Sequence, residues 1–266
     1  MNNATERPLA IVTGASSGIG YELAKQFASN GFDLVVAAED ARITDVAMDF
    51  QALGARVGAV RADLTTAEGV ELVFSRAAKT GRPVNAVAIN AGVGVGGPFA
   101  ETSLEADLGV VDLNVRSSVH LAKLAVRDMV RHGAGRILIT SSIAATQPGP
   151  FEATYAASKA FLLSFAEALR AELKDRGITV TALMPGPTDT EFFERAGLED
   201  TKLGAAKKDD PAQVAKEGFE ALMRGKDHVV TGSLKNKLMA GAAKVLPEAV
   251  KAQAHRRMSE PGSAQG

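Results

Sequence analysis

Leu9-Ala10-Ile11-Val12-Thr13-Gly14-Ala15-Ser16-Ser17-Gly18-Ile19-Gly20 is the stretch whose reading decides the fold. Four apolar residues run into a Gly-rich turn, after which apolar residues recur at helical spacing as Ile19, Leu23 and Phe27. A buried strand ending in a glycine turn that opens a helix lets backbone N–H groups approach a pyrophosphate, and the helix N-terminus adds partial positive charge. Glycine suits such a turn because a Cβ would hold the phosphates away. The spacing is Gly-x-x-x-Gly-x-Gly rather than Gly-x-Gly-x-x-Gly, and a glycine cluster alone is equally a tight turn. Its place between an apolar strand and an amphipathic helix favours a dinucleotide.

Outward from this unit the same alternation continues. Leu34 to Ala37, Val57 to Arg61, Val84 to Ile89, Arg136 to Thr140 and Thr179 to Met184 read as strands, and Val229-Val230 as a short seventh. Strands apolar throughout and separated by helical patterns describe a parallel sheet covered on both faces. The expected fold is α/β, a doubly wound Rossmann-type fold with a mostly parallel seven-stranded sheet flanked by helices. Neither a repeat nor a linker divides the chain. Residues 1–232 are expected to form one dinucleotide-binding domain and residues 233–266 its C-terminal helical extension, with a loose tail from Ser259 to Gly266.

Composition narrows the function. The 266 residues are 46% hydrophobic and 23% charged, as expected of a globular domain with a sizeable core. A net charge of -1 gives no electrostatic reason to expect nucleic acid or an anionic membrane surface as partner. With no cysteine, disulfides, thiolate metal sites and a cysteine nucleophile are excluded. His120, His132, His228 and His255 are scattered at spacings that suggest neither a metal site nor a Ser-His-Asp arrangement, so no metal is expected. No apolar run reaches membrane length and no apolar segment marks the start, which makes a cytoplasmic location the expectation.

Tyr155-Ala-Ala-Ser-Lys159 carries the second chemical signal. In a helix these two side chains share one face. A cation about 4 Å from a phenol, at an effective dielectric of about 20, favours phenolate by roughly 4 kcal/mol, about three pKa units below a value near 10. That would bring Tyr155 toward neutral pH, where general acid-base catalysis is efficient. Taken alone, the pair is equally the decoration of an amphipathic helix.

Thr13-Gly14-x-x-x-Gly18-x-Gly20, Asp63-Leu64, Asn90-Ala91-Gly92, Asn114, Ser142, Tyr155-x-x-x-Lys159 and Pro185-Gly186 occur in the order and spacing of one family. The chain resembles the short-chain dehydrogenase/reductase family, in its non-extended single-domain branch. The resemblance implies an NAD(P)-dependent oxidoreductase that moves a hydride between a nicotinamide cofactor and a small-molecule alcohol or ketone. It implies that Gly14, Ser16, Ser17, Gly18, Ile19 and Gly20 hold the pyrophosphate and that Asp63 and Leu64 border the adenine. Asn90, Ala91 and Gly92 would line the adenosine side, although Ile89 stands where the family often has a further asparagine. Pro185, Gly186, Thr188 and Thr190 would fix the nicotinamide carboxamide.

The implied catalytic set is Asn114, Ser142, Tyr155 and Lys159. Ser142, 13 residues before Tyr155, would hold the substrate oxygen, and spacing prefers it to Ser141. Tyr155 would give or take the proton, while Lys159 would lower its pKa and bind the nicotinamide ribose. Asn114 would hold a water between Lys159 and solvent. Glu39, 19 residues past Gly20, stands where a carboxylate accepts ribose hydroxyls, which favours NAD(H). Arg42 keeps NADP(H) possible. The resemblance also implies a homodimer or homotetramer. The alternative is a non-catalytic dinucleotide-binding sensor or regulatory protein. It would tolerate damage to the catalytic set, yet all four residues are present.

Overall fold

The structure is a computed structural model and describes residues 7–232 and 247–265. The rest of the expected C-terminal extension, residues 233–246, lies outside the described residues. Seven strands form one sheet: β1 (Leu9–Thr13), β2 (Asp33–Ala38), β3 (Val57–Arg61), β4 (Val84–Ile89), β5 (Gly135–Thr140), β6 (Ile178–Met184) and β7 (His228–Val230). Their order is β3-β2-β1-β4-β5-β6-β7, and every neighbouring pair is parallel. The Rossmann-type expectation holds, and the seventh strand is present.

Alternation along the strands divides the core in two. Ile11, Val35, Val87, Ile137 and Val180 face one side, against α3 (Ala67–Ala78), α5 (Ser117–His132) and α6 (Ala153–Leu173). Ala10, Val12, Val36 and Leu138 face the other, against α1 (Gly18–Ser29), α2 (Ile43–Ala52) and α9 (Pro211–Met223). Residues one apart on a strand point to opposite faces, so a strand covered on both sides must be apolar throughout. Short helices α4 (Leu104–Val110), α7 (Phe192–Arg195) and α8 (Lys202–Ala205) lie in the connections, and α10 (Glu248–Ser259) follows the undescribed segment.

This topology places the site. The chain steps outward from β1 to β3 and then returns to place β4 on the other side of β1. Ligands of open α/β sheets bind beyond the strand C-termini at such a switch point. The sequence also predicts a loose tail after Ser259, and here the structure differs. The Gly262 N–H donates to Asp200 Oδ2 at 2.9 Å, the Ala264 N–H to the Asp200 carbonyl at 2.9 Å, and Ser263 Oγ accepts from the Lys202 N–H at 2.9 Å. Polar composition suggested a solvated end, but these bonds tie it to the body of the protein.

At the opposite end of the sheet a buried carboxylate anchors three segments. Asp33 is fully buried, accepts the Arg56 N–H at 2.9 Å and Arg82 Nη1 at 2.8 Å, and lies 3.5 Å from Arg7 Nε. Burial alone would raise its pKa, but the bonds from Arg56 and Arg82 outweigh it and hold the carboxyl below its ordinary value. Removing one member of such a cluster leaves buried charge uncompensated, so Asp33→Ala is expected to lower unfolding free energy by about 3 kcal/mol in urea titration at neutral pH. Because the folded pKa is depressed, this contribution is present above the unfolded value of about 3.9 and is lost as pH falls through the folded one. The gap between wild type and variant should therefore narrow in acid; equal midpoints at neutral pH would refute the anchor.

Candidate active site

A cleft of about 1100 Å³ opens beyond the strand C-termini. Small-molecule sites usually fall between about 300 and 1,000 Å³, so this one is large enough for a dinucleotide beside a second small molecule. Of the residues expected to serve catalysis or hold the cofactor, all but Asn114 line it. The glycine turn fits a pyrophosphate. Gly18 has φ of 55°, in the left-handed region that disfavours side chains, and a Cβ on Gly20 would strike the Gly14 carbonyl oxygen. The need for glycine at position 20 thus comes from the chain's own turn folding back on α1. Ser17, the α1 N-cap, makes no side-chain bond to the first turn, whose N–H groups stay available to an anion.

Side chains stitch the strand tips together. Thr13 Oγ1 accepts the N–H groups of Asn90 and Ala91 at 3.0 and 3.1 Å. Asn90 Nδ2 donates to the Thr13 carbonyl at 3.2 Å, and its Oδ1 accepts from Thr140 Oγ1 at 3.1 Å. Asn90 therefore borders the cleft while its amide bridges β1 and β5. Asp63 Oδ1 accepts the N–H and hydroxyl of Thr65 at 2.8 and 2.7 Å, shaping the turn that leads into α3. Leu64 beside it is buried.

At the far end of β2, Glu39 is exposed and lines the cleft. Arg42 is clasped by carboxylates: its Nε lies 2.5 Å from Asp40 Oδ2, and its two terminal nitrogens donate to the Glu191 oxygens at 2.8 and 3.0 Å. The Arg42 N–H and guanidinium hold the Asp40 carboxyl below its usual value, and the guanidinium does the same to Glu191. A cation not anticipated from the sequence, Arg61, donates from Nε to the Glu39 carbonyl at 2.9 Å.

Tyr155 and Lys159 meet at the other end, near the start of α6. Ser141 Oγ donates to the Lys159 carbonyl at 2.8 Å, which leaves Ser142 as the hydroxyl beside the phenol. Ser142 Oγ accepts the Ala144 N–H at 3.1 Å. Lys159 Nζ donates to the Thr140 carbonyl at 3.0 Å and stands 5.6 Å from the Tyr155 ring centroid. Phe192 packs on the same ring at 5.0 Å between centroids. Past β6, Thr188 is buried with its hydroxyl donating to the Gly186 carbonyl at 2.9 Å, and Thr190 Oγ1 accepts the Phe192 N–H at 3.3 Å.

The electrostatics depart from the expectation for Tyr155. Burial raises its pKa above the ordinary phenol value, the Glu152 charge adds to the rise, and the hydrogen bond with Ser142 opposes it. The lysine is itself buried, 5.6 Å from the ring centroid, and desolvation decides the direction of the shift. The same desolvation brings Lys159 down to about 8.

Asn114 is fully buried in a π-helical turn, Val111–Arg116, between α4 and α5. Its Oδ1 accepts the Val93 N–H at 2.9 Å, and its Nδ2 donates to the Val93 carbonyl and Ser158 Oγ, each at 2.9 Å. The side chain pins the loop after β4 to α6. Gly92 lies between it and Lys159, where a Cβ would sit 3.0 Å from Asn114 Oδ1 and 3.3 Å from Lys159 Nζ.

Two further titratable residues of the cleft, Glu152 and His255, had no site role in the sequence reading. His255, expected to be one of four scattered histidines, is buried, and its Nε2 lies 3.0 Å from Glu152 Oε2 while its Nδ1 lies 3.0 Å from Gln147 Nε2. The only available signal was Glu152, an acid three residues before Tyr155. Among the described residues no group of three His, Cys, Asp or Glu could hold a metal ion. No helix among them is long and apolar enough to cross a membrane.

Comparison with known proteins agrees with this geometry. The short chain dehydrogenase family model matches residues 8–200. The chain is 40% identical over 189 residues to 1-deoxy-11-beta-hydroxypentalenate dehydrogenase of Streptomyces exfoliatus, covering 70% of this chain and 69% of that one. It spans only 60% of a short chain dehydrogenase of Pseudocercospora fijiensis, to which it is 31% identical over 186 residues. Among solved structures, a short-chain dehydrogenase from Sphingobium yanoikuyae in complex with NADPH superposes with a TM-score of 0.78 at 28% identity, over 89% of this chain and 93% of that one. The 3-ketoacyl-(acyl-carrier-protein) reductase of Brucella melitensis complexed with NADH gives 0.74 at 25%, over 86% and 98%. This chain belongs to the short-chain dehydrogenase/reductase family of oxidoreductases.

Proposed function

We propose that the protein transfers a hydride between NAD(H) and an alcohol or ketone, with Tyr155 as general acid and base. The observation that carries this reading is the convergence of Ser142, Tyr155 and Lys159 on one cleft with the glycine turn and the Pro185 to Thr190 segment. The Streptomyces relative's name, a dehydrogenase of a hydroxylated compound, supports an alcohol and ketone pair.

The nicotinamide, when bound, supplies the hydride. Ser142 donates a hydrogen bond to the substrate oxygen, where negative charge grows during reduction. Tyr155 protonates that oxygen. With Lys159 at about 8 and the phenol above its ordinary value, the pair at neutral pH is an ammonium beside a neutral phenol, which is the form that donates. Lys159 stabilises the phenolate left behind and takes the cofactor ribose hydroxyls. Asn114 keeps the Val93 loop against α6 and so fixes the wall facing Lys159. Phe192 and Val93 exclude water from the reacting end.

Glu39 and Asp40 stand at the ribose end, and the Arg42 charge is already matched by Asp40 and Glu191. A 2'-phosphate placed there would meet carboxylates, each repulsion at about 4 Å amounting to roughly 1 to 4 kcal/mol with local dielectric. The stacked pair Phe161 and Phe165 on α6, with Phe161 exposed, offers an apolar face for a second copy in a homodimer or homotetramer.

Two assays test this reading. In a panel of ketones and secondary alcohols followed by cofactor absorbance, Tyr155→Phe is expected to lower kcat by about 100-fold or more, the lower range of general acid catalysis, with NADH binding retained. Equal turnover by wild type and variant refutes the role of Tyr155. In the same panel kcat/KM with NADH is expected to exceed that with NADPH by at least about tenfold, the effect of one such repulsion. A preference for NADPH refutes the cofactor assignment.

A further inference from the structure

Beyond the groups that serve cofactor and proton transfer, the cleft has one more charged wall, built where α10 docks on the start of α6. Glu152 is 3% exposed and His255 7%, and both line the cleft with Gln147 and Met258. Glu152 Oε2 takes two bonds, one from His255 Nε2 and one from the Ser259 hydroxyl, each at 3.0 Å. A carboxylate only accepts, so Nε2 carries the proton, and Nδ1 accepts from the Gln147 amide at 3.0 Å. Ser259, His255 and Glu152 have the residue types of a hydrolytic triad without its geometry. Both the hydroxyl and the carboxylate meet the same nitrogen, and Ser259 is fully buried.

The other carboxylate oxygen is the informative one. Glu152 Oε1 takes no hydrogen bond among the described residues, and it is not among the side-chain atoms that are both shut off from solvent and unpaired, so on this cleft-lining residue it keeps an opening. A carboxylate oxygen open to the cleft can accept a hydrogen bond from a group that enters there. Phe192, Phe193, Leu203 and Met258 make the remainder of this end apolar. A substrate that fits is therefore largely apolar with a hydrogen-bond donor close to its reacting carbon.

We infer that Glu152, oriented by His255 and Ser259, is a substrate-binding residue that accepts a hydrogen bond from a hydroxyl or amine on the substrate near its carbonyl. The substrate class is then a hydroxy- or amino-substituted ketone, or the corresponding diol or amino alcohol. This deepens the reading of the site as a ketone reductase and alcohol dehydrogenase, and rests on it. The Glu152 charge is felt by the Tyr155 phenol, which puts the acceptor in electrostatic reach of the reacting centre. A substrate carboxylate in the donor's place would meet like charge and be refused.

A series of benzyl ketones that differ only beyond the carbonyl, in an ethyl, hydroxymethyl, aminomethyl or carboxylate group, isolates the contact. For each, Kd is measured by calorimetry with the protein loaded with NAD+, which has no hydride to give the ketone, beside kcat/KM with NADH. The hydroxymethyl or aminomethyl ketone is expected to have a Kd about 10- to 100-fold lower than the ethyl ketone and a kcat/KM higher by a similar factor, as for a hydrogen bond to a charged group, and the carboxylate to be weakest. Whichever of the two leads identifies the donor. Glu152→Met should bring the ratio to within about threefold of one, the scale left when a pairing is removed from both sides. Equal or undetectable affinities across the wild-type series overturn the inference whether or not the variant folds, as does a preference that survives Glu152→Met. If Tyr155→Phe keeps its turnover, the acid-base reading fails alone, because the Kd ranking still reports on Glu152.

Discussion

Lys159 is a cation with 5% of its surface in water, and the geometry of the strand tips follows from the need to satisfy it. Its ammonium donates to the Thr140 carbonyl, Thr140 donates to Asn90, and Asn90 donates to Thr13. One run of hydrogen bonds thus joins α6 to the ends of β5 and β1, with Asn90 at the end of β4. A buried charge is tolerated only when paired or hydrogen-bonded, so loosening any of these bonds disturbs both the sheet edge and the lysine. The floor of the cleft and Lys159 are one network.

Burial of the pair has a second consequence. Desolvation pulls Lys159 and Tyr155 in opposite directions, each toward its neutral form. The ammonium persists at neutral pH while the phenol keeps its proton. An isolated estimate from charge separation has the lysine drawing the Tyr155 pKa toward neutral pH, but that estimate leaves out the cost of removing both groups from water. Both are buried, and that cost sets the direction of each shift. In the proposed mechanism the lysine stabilises the phenolate once the proton has left, which is a property of the transition state more than of the resting protein.

Much of this was legible in the sequence for physical reasons. A strand buried on both faces must be apolar at every position, so Leu9 to Val12 and Val84 to Ile89 announce themselves. The preference for Ser142 over Ser141 came from the family's spacing, and the Ser141 hydroxyl is turned to the Lys159 carbonyl. What stayed hidden depends on contacts across long separations or on local irregularity. His255 meets Glu152 across 103 positions, Arg42 meets Glu191 across 149, and no local pattern encodes either pair. The π-turn around Asn114 adds a residue to a helix whose apolar spacing reads as regular. The end of the chain looked loose because its composition is polar, whereas backbone N–H groups caught by Asp200 hold it in place.

Burial keeps the Tyr155 phenol protonated beside the Lys159 ammonium, and in the proposed mechanism the cationic nicotinamide ring is what lowers its pKa. The chain has only two tyrosines, and Tyr21, bonded to Asp49, is pushed up to about 12, so ultraviolet titration of tyrosinate can resolve Tyr155. Without cofactor, neither phenol should ionise below the ordinary value of about 10. Adding the oxidised cofactor, whose nicotinamide ring is cationic, should lower one transition by at least a full pH unit, and that transition should be missing in Tyr155→Phe. A Tyr155 transition near neutral pH in the free protein, or one that the oxidised cofactor does not move, would contradict the account.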